Sequence, residues 1–375
     1  MKIRIRTITP ILVRSGEEIS NVNECIIDSV NKELKIIDKD KLINIFKKRF
    51  EDPRPLITEL SSLILSDNKT IEDFLRRKEI DINQVIKYSI KIKSDIDKER
   101  RRSIYLPMIT DEKAYIPGST LKGIIRNALL FYYLENNKDI QKELLSKKDV
   151  YTSKKNVYIG EDILRVEIKR METDTMRFII VRDTDGIPVS DLALYRIERL
   201  PQKAQRRDRG QGLYQYIIAI PNKKDFSTEI IVKVSEKDDI PVYWKEFLSD
   251  KDKENNIWIA LKIYSTKLVD KEIEILERLK SVRKEGLEVF DSLINYYKEV
   301  QKLLKNPQNK TLYIPIGFGK TYYFNSLGYF IPEASFKTFK IIKTDIDPKL
   351  YPSTRWVVKI GERYYPIGGC GIVRE

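Results

Sequence analysis

The first residues of the chain alternate between basic and apolar side chains, reading Lys-Ile-Arg-Ile-Arg from position 2. A two-residue period is typical of a half-buried strand, and we extend this strand over residues 1–13. Two further short strands are predicted at 25–27 and 34–37, on either side of a turn that contains Asn31. The chain therefore opens with β structure.

The hydrophobic period changes to that of a helix from residue 40 to about residue 98. Pro53 and Pro55 break the first helix from the second, and the segment is interpreted as a helical insertion in an α+β domain. The apolar positions that carry this pattern are Leu42, Ile43, Ile45, Phe46, Ile57, Leu60, Leu63, Ile64, Ile71, Phe74, Leu75, Val85, Ile86 and Ile90.

Residues 114–126 combine a strand end, a Pro-Gly break, Ser119 as a helix cap and a new amphipathic helix. Lys122 and Arg126 are four residues apart and should project together from the polar side of this helix. A helix N-terminus beside two basic side chains favours an anion such as a phosphate. The apolar stripe is Leu121, Ile124, Ile125, Ala128, Leu129 and Tyr132.

The rest of the chain predicts an α+β arrangement with a boundary at 221–225, which divides it into a domain of residues 1–220 and a domain of residues 221–375. A helix pattern runs from 271 to 304, and Gly286 is a candidate break in it. A polar loop is expected at 147–155. Strands are predicted at 163–168, 177–182, 192–199, 214–220, 229–234, 257–263, 312–316 and 356–360, the last clear strand.

The connection between the strands at 192–199 and 214–220 is strongly basic. From 196 to 210 there are six basic and two acidic residues, and Arg206, Arg207 and Arg209 lie within it. Two flanking strands with this loop between them predict an arm that reaches along a polyanion.

Charge indicates the kind of partner. Lysines and arginines exceed acidic residues by 14, and the sequence pI is about 9.3, which suits nucleic acid or an anionic membrane. No apolar run approaches the roughly 18 residues of a membrane span, and the alternating first residues do not read as a signal peptide. We therefore expect a cytoplasmic protein, with no membrane partner, that binds nucleic acid.

Two residue types limit the chemistry. The chain has no histidine, which excludes mechanisms that use imidazole as acid, base or ligand. Cys25 and Cys370 are at opposite ends of the sequence and cannot form a Cys-x-x-Cys zinc site. We expect two free thiols.

Four sequence motifs together resemble the RAMP superfamily of CRISPR effector complexes. The segment at 117–126 is similar to its Pro-Gly-Ser-x-Leu-Lys-Gly-x-x-Arg signature, and 8–17 to its strand-then-loop opening, with Leu12-Val13-Arg14 in place of the usual His-x-Gly. Residues 313–321 are similar to its glycine-rich loop. The ending at 351–355 and 365–369 is similar to that of the capping backbone subunit of type III-A complexes.

The resemblance implies two ferredoxin-like RAMP domains, the first with the helical insertion, and a non-catalytic subunit that caps the backbone at the 3′ region of the guide RNA. The implied partners are the CRISPR guide RNA, the repeated RAMP backbone subunit, other subunits of the complex and a separate trimming nuclease; no cofactor or metal is implied. The candidate RNA-contacting residues are Arg14, Gly118, Ser119, Lys122, Gly123, Arg126, Arg206, Arg207, Arg209, Gly317, Gly319, Lys320 and Arg355.

Other interpretations of these motifs are weaker. Gly317 to Thr321 is not a P-loop, because Ile314 stands where that motif requires its first glycine. It is not a dinucleotide fingerprint either, because Tyr322 stands where that motif has glycine. The aromatics that follow could stack on bases but fit a core better: Tyr322, Tyr323, Phe324, Tyr329 and Phe330.

Four aspartates are candidates for catalytic or metal-binding groups. Asp183 and Asp185 fit a turn between strands better than a metal site. Asp28 matters most, because the target-cleaving RAMP subunits carry an aspartate in an N-terminal loop, yet we interpret it as structural; Asp38 is a further acidic candidate. Arg100, Arg101 and Arg102 are most simply a solvated charge run, with a place in the RNA groove as the alternative.

The alternative function is a RAMP endoribonuclease that processes CRISPR precursor RNA. Such enzymes usually use a histidine, which this chain lacks, although a Tyr/Lys site remains chemically conceivable.

Overall fold

The computed structural model describes residues 1–65, 70–96, 102–146, 160–167, 169–200, 213–249, 251–339, 341–343 and 347–375. Within them the helices are α1 (Lys39–Arg49), α2 (Arg54–Leu65), α3 (Ile71–Arg77), α4 (Gly118–Asn136), α5 (Lys138–Ser146), α6 (Glu161–Leu164), α7 (Val242–Ser249), α8 (Lys253–Ser281), α9 (Leu287–Lys305) and α10 (Tyr322–Asn325).

The strands of the described residues run from the N-terminus to the C-terminus. They are β1 (Lys2–Thr7), β2 (Arg14–Ser20), β3 (Cys25–Asp28), β4 (Glu33–Ile37), β5 (Ile86–Ile92), β6 (Ser103–Pro107), β7 (Ile109–Thr110), β8 (Lys113–Ala114), β9 (Ile179–Val181), β10 (Ile187–Pro188), β11 (Ala193–Arg199), β12 (Tyr214–Ala219), β13 (Asp225–Val232), β14 (Leu312–Pro315), β15 (Trp356–Ile360), β16 (Arg363–Pro366) and β17 (Gly369–Arg374).

The first sheet is antiparallel and has the order β14-β17-β1-β13-β9. The predicted alternation of β1 is confirmed, since Ile3 and Ile5 are buried while the basic residues between them are exposed. Because β1 pairs with both β13 and β17, this sheet takes strands from both sides of residues 221–225. The division at that boundary stays a prediction.

The second sheet contains the order β2-β6-β12-β11-β5-β4-β3, and β15 joins it through β11 and carries β16. One face contributes to the main hydrophobic core, as Leu194, Tyr216 and Ile218 do. The opposite face forms a smaller cluster with Tyr195 and Ile217. Both faces of the central strands are therefore covered.

The helical insertion is confirmed for α1, α2 and α3, which have their own hydrophobic cluster, packed on Ile26 and Ile37 of β3 and β4. Pro53 lies between α1 and α2, as predicted, whereas Pro55 is the second residue of α2. The prediction of helix up to residue 98 is wrong, because residues 86–92 form β5.

Some strand predictions are also wrong, beginning with the strand predicted over 1–13, which ends at Thr7. Residues 161–164 form the short helix α6 where a strand was predicted from 163, and 257–263 lie inside α8. Two strands, β16 and β17, follow the strand that was predicted to be the last. Gly286, with φ +67°, does separate α8 from α9.

The α+β class is confirmed, with α4 packed on α8 and on the first sheet. Cys25 and Cys370 are both buried free thiols, as expected. Among the described helices, none combines the length and the apolar character of a membrane span.

Candidate RNA-binding surface

The signature helix α4 has the face distribution that the sequence predicts. Leu121, Ile124, Ile125, Ala128 and Leu129 are buried, and Tyr132 is half-buried. The buried side is wider than predicted, because three further residues of the helix also enter the core: Leu130, Phe131 and Leu134.

The polar side of α4 carries the predicted basic pair. Lys122 and Arg126 are half-buried, and Gly123 between them is exposed. A Cβ added at Gly123 would meet no atom within 4 Å. A phosphate or sugar could therefore approach the main chain at this point of the helix.

The N-terminus of α4 is capped differently from the prediction. The helix begins at Gly118 with Pro117 in the cap position, and Ser119 lies exposed inside the first turn. Asp183 replaces it, since its Oδ1 accepts a hydrogen bond of 2.7 Å from the Gly118 N–H. The predicted capping role of Ser119 is wrong, because a residue already inside the helix cannot occupy the cap position.

The segment that contains Asp183 fastens the helix start to the first sheet. Thr184 Oγ1 accepts from the Ile116 N–H at 3.0 Å, and Asp185 Oδ1 accepts from the Ser227 N–H at 2.7 Å. These bonds explain both aspartates structurally. No group of side chains suited to holding a metal ion occurs in the described residues.

Gly118 is required by packing. A Cβ at this position would lie 2.2 Å from the carbonyl oxygen of Val181 and 2.8 Å from that of Arg182. Gly118 is therefore better explained by close packing against the main chain at 181–182 than by its predicted contact with RNA.

The glycine-rich loop and the N-terminal opening motif are in direct contact. The Phe318 N–H donates to the Leu12 carbonyl oxygen at 2.7 Å. Gly317 has φ +76°, and a Cβ there would lie 2.2 Å from the same oxygen. Gly319, with φ +89°, packs on Ile367. Motifs from both ends of the sequence thus pack against each other in this part of the candidate surface.

Arg14 lies at the edge of this surface. Its guanidinium carbon is 3.7 Å from the centroid of the Tyr105 ring, and its Nη2 donates to Glu18 at 2.8 Å. Tyr105 in turn contacts Phe318, which contacts Trp356, with ring centroids 6.0 and 5.5 Å apart. These three aromatics have no pattern of their own in the sequence, and only their position in or near the motifs indicates them.

Lys320 is partly buried, and burial lowers the pKa of its ammonium group. It lines a small pocket together with Thr321, Arg355 and Trp356. Its amine is therefore close to the glycine-rich loop but less solvated than a surface lysine.

Arg355 differs from its predicted role. Its side chain is only 5% exposed, and Nε and Nη2 donate to Glu272 Oε2 at 3.1 and 3.0 Å. Thr321 Oγ1 donates to the other oxygen of the Glu272 carboxylate. Arg355 is thus part of a buried network that ties the C-terminal segment and the glycine-rich loop to α8, and we remove it from the candidate RNA contacts.

Arg206, Arg207 and Arg209, the polar loop at 147–155, Arg100 and Arg101 lie outside the described residues. The strands that flank the basic connection do pair, with the Arg199 N–H donating to the Leu213 carbonyl at 2.8 Å.

The aromatic run after the glycine-rich loop belongs to the core, as preferred above. Tyr323 and Phe324 are 1% and 2% exposed. The Tyr264 hydroxyl donates to the Phe324 carbonyl at 2.9 Å.

Asp28 is held by its neighbours. It accepts hydrogen bonds from the Asn31 N–H at 3.0 Å and side-chain amide at 2.9 Å, and it pairs with Lys35 at 3.1 Å. The hydrogen bonds from Asn31 hold the pKa of this carboxyl well below its usual range. These contacts fit the structural interpretation.

The α+β fold and the placement of the signature motifs agree with one class of protein, because the RAMP superfamily model matches residues 4–324. The chain belongs to the RAMP superfamily. A relative from Methanocaldococcus jannaschii, described as CRISPR system Cms protein Csm5, is 25% identical over 190 residues. This alignment covers 49% of the chain and 42% of the relative, less than half of each.

Two solved structures share the fold over the full chain. One is a chain of the type III-A Csm-crRNA-target RNA ternary complex, with TM-score 0.71, 18% identity and 100% of both chains covered. The other is Csm5 of T. onnurineus, with TM-score 0.63, 16% identity and coverage of 99% of this chain and 100% of that one. At these identities the likeness establishes the fold.

Proposed function

We propose that the chain is a non-catalytic RNA-binding subunit that caps the backbone of a type III CRISPR ribonucleoprotein at the 3′ region of the guide RNA. It docks on the last repeated RAMP subunit and supports guide assembly and maturation in antiviral defence. Three similarities support this assignment: to a relative described as Csm5, to a solved structure of Csm5, and to a chain of a Csm-crRNA-target RNA complex.

The observation that carries the proposal is the placement of the signature helix. Its apolar residues are buried, and Lys122, Gly123 and Arg126 lie along its other side. Two cations beside an open glycine suit the sugar-phosphate backbone, which has the same chemistry in every guide.

Arg14 extends the proposed surface at the edge of the second sheet, on Tyr105. Gly317, Gly319 and Lys320 contribute the glycine-rich loop beside it. The basic connection with Arg206, Arg207 and Arg209 is proposed to reach along the guide, because it leaves from β11 and β12 of that sheet.

The test is co-expression with the genes that neighbour this one, followed by purification through a tag on another subunit. We expect the chain and a guide RNA of defined 3′ end to co-purify. Deletion of this gene should leave a complex with guides of altered 3′ length. A complex that keeps its guide length and its last backbone subunit without this chain would contradict the proposal.

A further inference from the structure

A tyrosine and two arginines meet at one end of the second sheet, outside the surface described above. Tyr214 begins β12, which lies between β6 and β11. Arg102 immediately precedes β6, and Arg196 lies in β11. Tyr216 of β12 pairs with Ile104 of β6, and both are buried on the core face. Tyr214 precedes Tyr216 by two residues, and Arg102 precedes Ile104 by two. Because side chains two apart in a strand share a face, Tyr214 and Arg102 lie on the same face, at the end of the core.

Both guanidinium groups lie against the same ring. The central carbon of Arg102 is 4.5 Å from the Tyr214 centroid, and that of Arg196 is 4.2 Å away. The main chain of Arg102 is fixed by Asn21, whose Oδ1 accepts from its N–H at 2.7 Å and whose N–H donates to its carbonyl at 3.0 Å. The two cations are therefore held close together by the backbone.

Among the described residues, one carboxylate forms an ion pair with this cluster. Arg196 Nη2 forms an ion pair with Glu198 at 3.1 Å. In the described part of the chain no ion pair involves Arg102, and the buried Nε of Arg196 has no hydrogen-bond partner. A bound anion would offset the excess positive charge and accept a hydrogen bond from the unsatisfied Nε–H of Arg196.

We propose that Arg102, Arg196 and Tyr214 form a binding site for a phosphate of the RNA backbone. Guanidinium groups bind phosphate oxygens in a fork geometry, and an aromatic ring holds the guanidinium planes for that contact. Leu213, the last residue of the basic connection, directly precedes Tyr214, so RNA bound at this cluster would lie near the end of that connection. The inference rests on the proposed function for its ligand, single-stranded RNA.

The experiment compares Arg102→Ala combined with Arg196→Ala against a matched control, Arg54→Ala combined with Arg76→Ala. The control residues lie exposed on α2 and α3 and pair with Asp52 and Glu72, so both variants lose the same charge. In fluorescence titrations with a single-stranded RNA, the cluster variant should bind about tenfold more weakly than the control. The slope of log K against log salt concentration should also be smaller than that of the control by about one unit, the value for one phosphate contact.

A second measurement does not depend on RNA. Inorganic phosphate is compared with chloride at equal ionic strength. Phosphate should raise the midpoint temperature of thermal unfolding more for the wild-type protein than for the cluster variant, because it binds the folded site. Without phosphate the variant should unfold no earlier than wild type, because it loses two like charges.

The outcomes separate the two proposals. If the wild-type protein binds no RNA, the proposed function fails. The thermal measurement with phosphate then tests by itself whether the cluster binds phosphate. If the cluster variant matches the control in affinity, salt slope and phosphate response, the inference is overturned while RNA binding stands. Unchanged RNA binding with lost association to another subunit would make the cluster a protein contact, which also overturns it.

Discussion

Glu272 connects two segments that are distant in the sequence, and it does so from inside the protein. Its side chain is fully buried in α8 and binds both Arg355 and Thr321. Sequence reasoning placed Arg355 at an RNA surface because its motif resembled that of a family. A single buried partner, recognisable only in three dimensions, changes that assignment.

Removal of one partner from this pair should destabilise the protein strongly. Arg355→Met leaves the Glu272 carboxylate buried without its cation, and such a break costs about 3–5 kcal/mol. The free energy of unfolding in urea measures this loss. The double variant Glu272→Gln with Arg355→Met should be more stable than Arg355→Met alone, because the uncompensated charge is gone. A loss of about 1 kcal/mol or less, as for an exposed ion pair, would contradict the buried network.

At the scale of elements, the start of α4 depends on a residue about 65 positions further along the chain. Asp183→Ala removes the acceptor of the Gly118 N–H and should lower the free energy of unfolding by about 1–2 kcal/mol. Ser119→Ala, which changes an exposed residue of the same helix turn, is the control and should have little effect. Chemical denaturation of both variants measures these free energies of unfolding. A larger effect of Ser119→Ala than of Asp183→Ala would mean that Ser119 is the cap, as the sequence predicted.

The polar side of α4 gives the prediction that bears most directly on function. Lys122→Ala combined with Arg126→Ala should weaken binding to guide RNA and reduce the salt slope by about one unit for each lost phosphate contact. The buried side of the helix is untouched, so the circular dichroism spectrum should not change.

The control for this variant is Lys138→Ala combined with Lys142→Ala. Both lysines lie on α5, near the end of α4, and are exposed, so the charge change is the same. RNA binding that falls equally in both variants would indicate a general charge effect and no contact at the signature helix.

The elements that could be predicted are those with a strong local pattern. The alternation of β1, the stripe of α4 and the break at Gly286 were all readable, because each depends on residues within a few positions of one another. Residues 257–263 were misread because several β-branched residues cluster there. The buried positions Ile257, Ala260, Leu261 and Tyr264 have helical spacing, and that period was the better signal.

The parts of the site that could not be predicted arise from long-range contacts. Leu12 meets the glycine-rich loop, and Tyr105 meets Arg14, across large separations in sequence. Gly118 was predicted as an RNA contact, but the atom that excludes a side chain there belongs to Val181. Motif resemblance identifies such residues without giving the physical cause.

For the whole molecule, the absence of histidine from the sequence limits the available chemistry. A general base works best with a pKa near the operating pH. The hydrogen bonds from Asn31 lower the pKa of Asp28, which therefore stays ionised and is a weak base.

We expect no cleavage of CRISPR repeat RNA or of guide-complementary RNA, with or without divalent metal, when products are resolved on denaturing gels. Asp28→Ala should behave as wild type in the same assay. Activity lost in that variant would identify a target-cleaving subunit, and metal-independent cutting within the repeat would favour a processing enzyme.

The net charge of +14 leads to the last prediction. The isolated chain should bind single-stranded RNA weakly and with little sequence preference, because basic side chains and open glycine backbone contact phosphates, which every sequence shares. Affinity should fall steeply and linearly on a plot of log K against log salt, since each contact releases counterions. Titrations of three unrelated RNA sequences at several salt concentrations measure both properties. Strong discrimination among the sequences, or affinity that does not change with salt, would mean that base edges rather than the backbone are bound, and a subunit that must accept any guide could not work in that way.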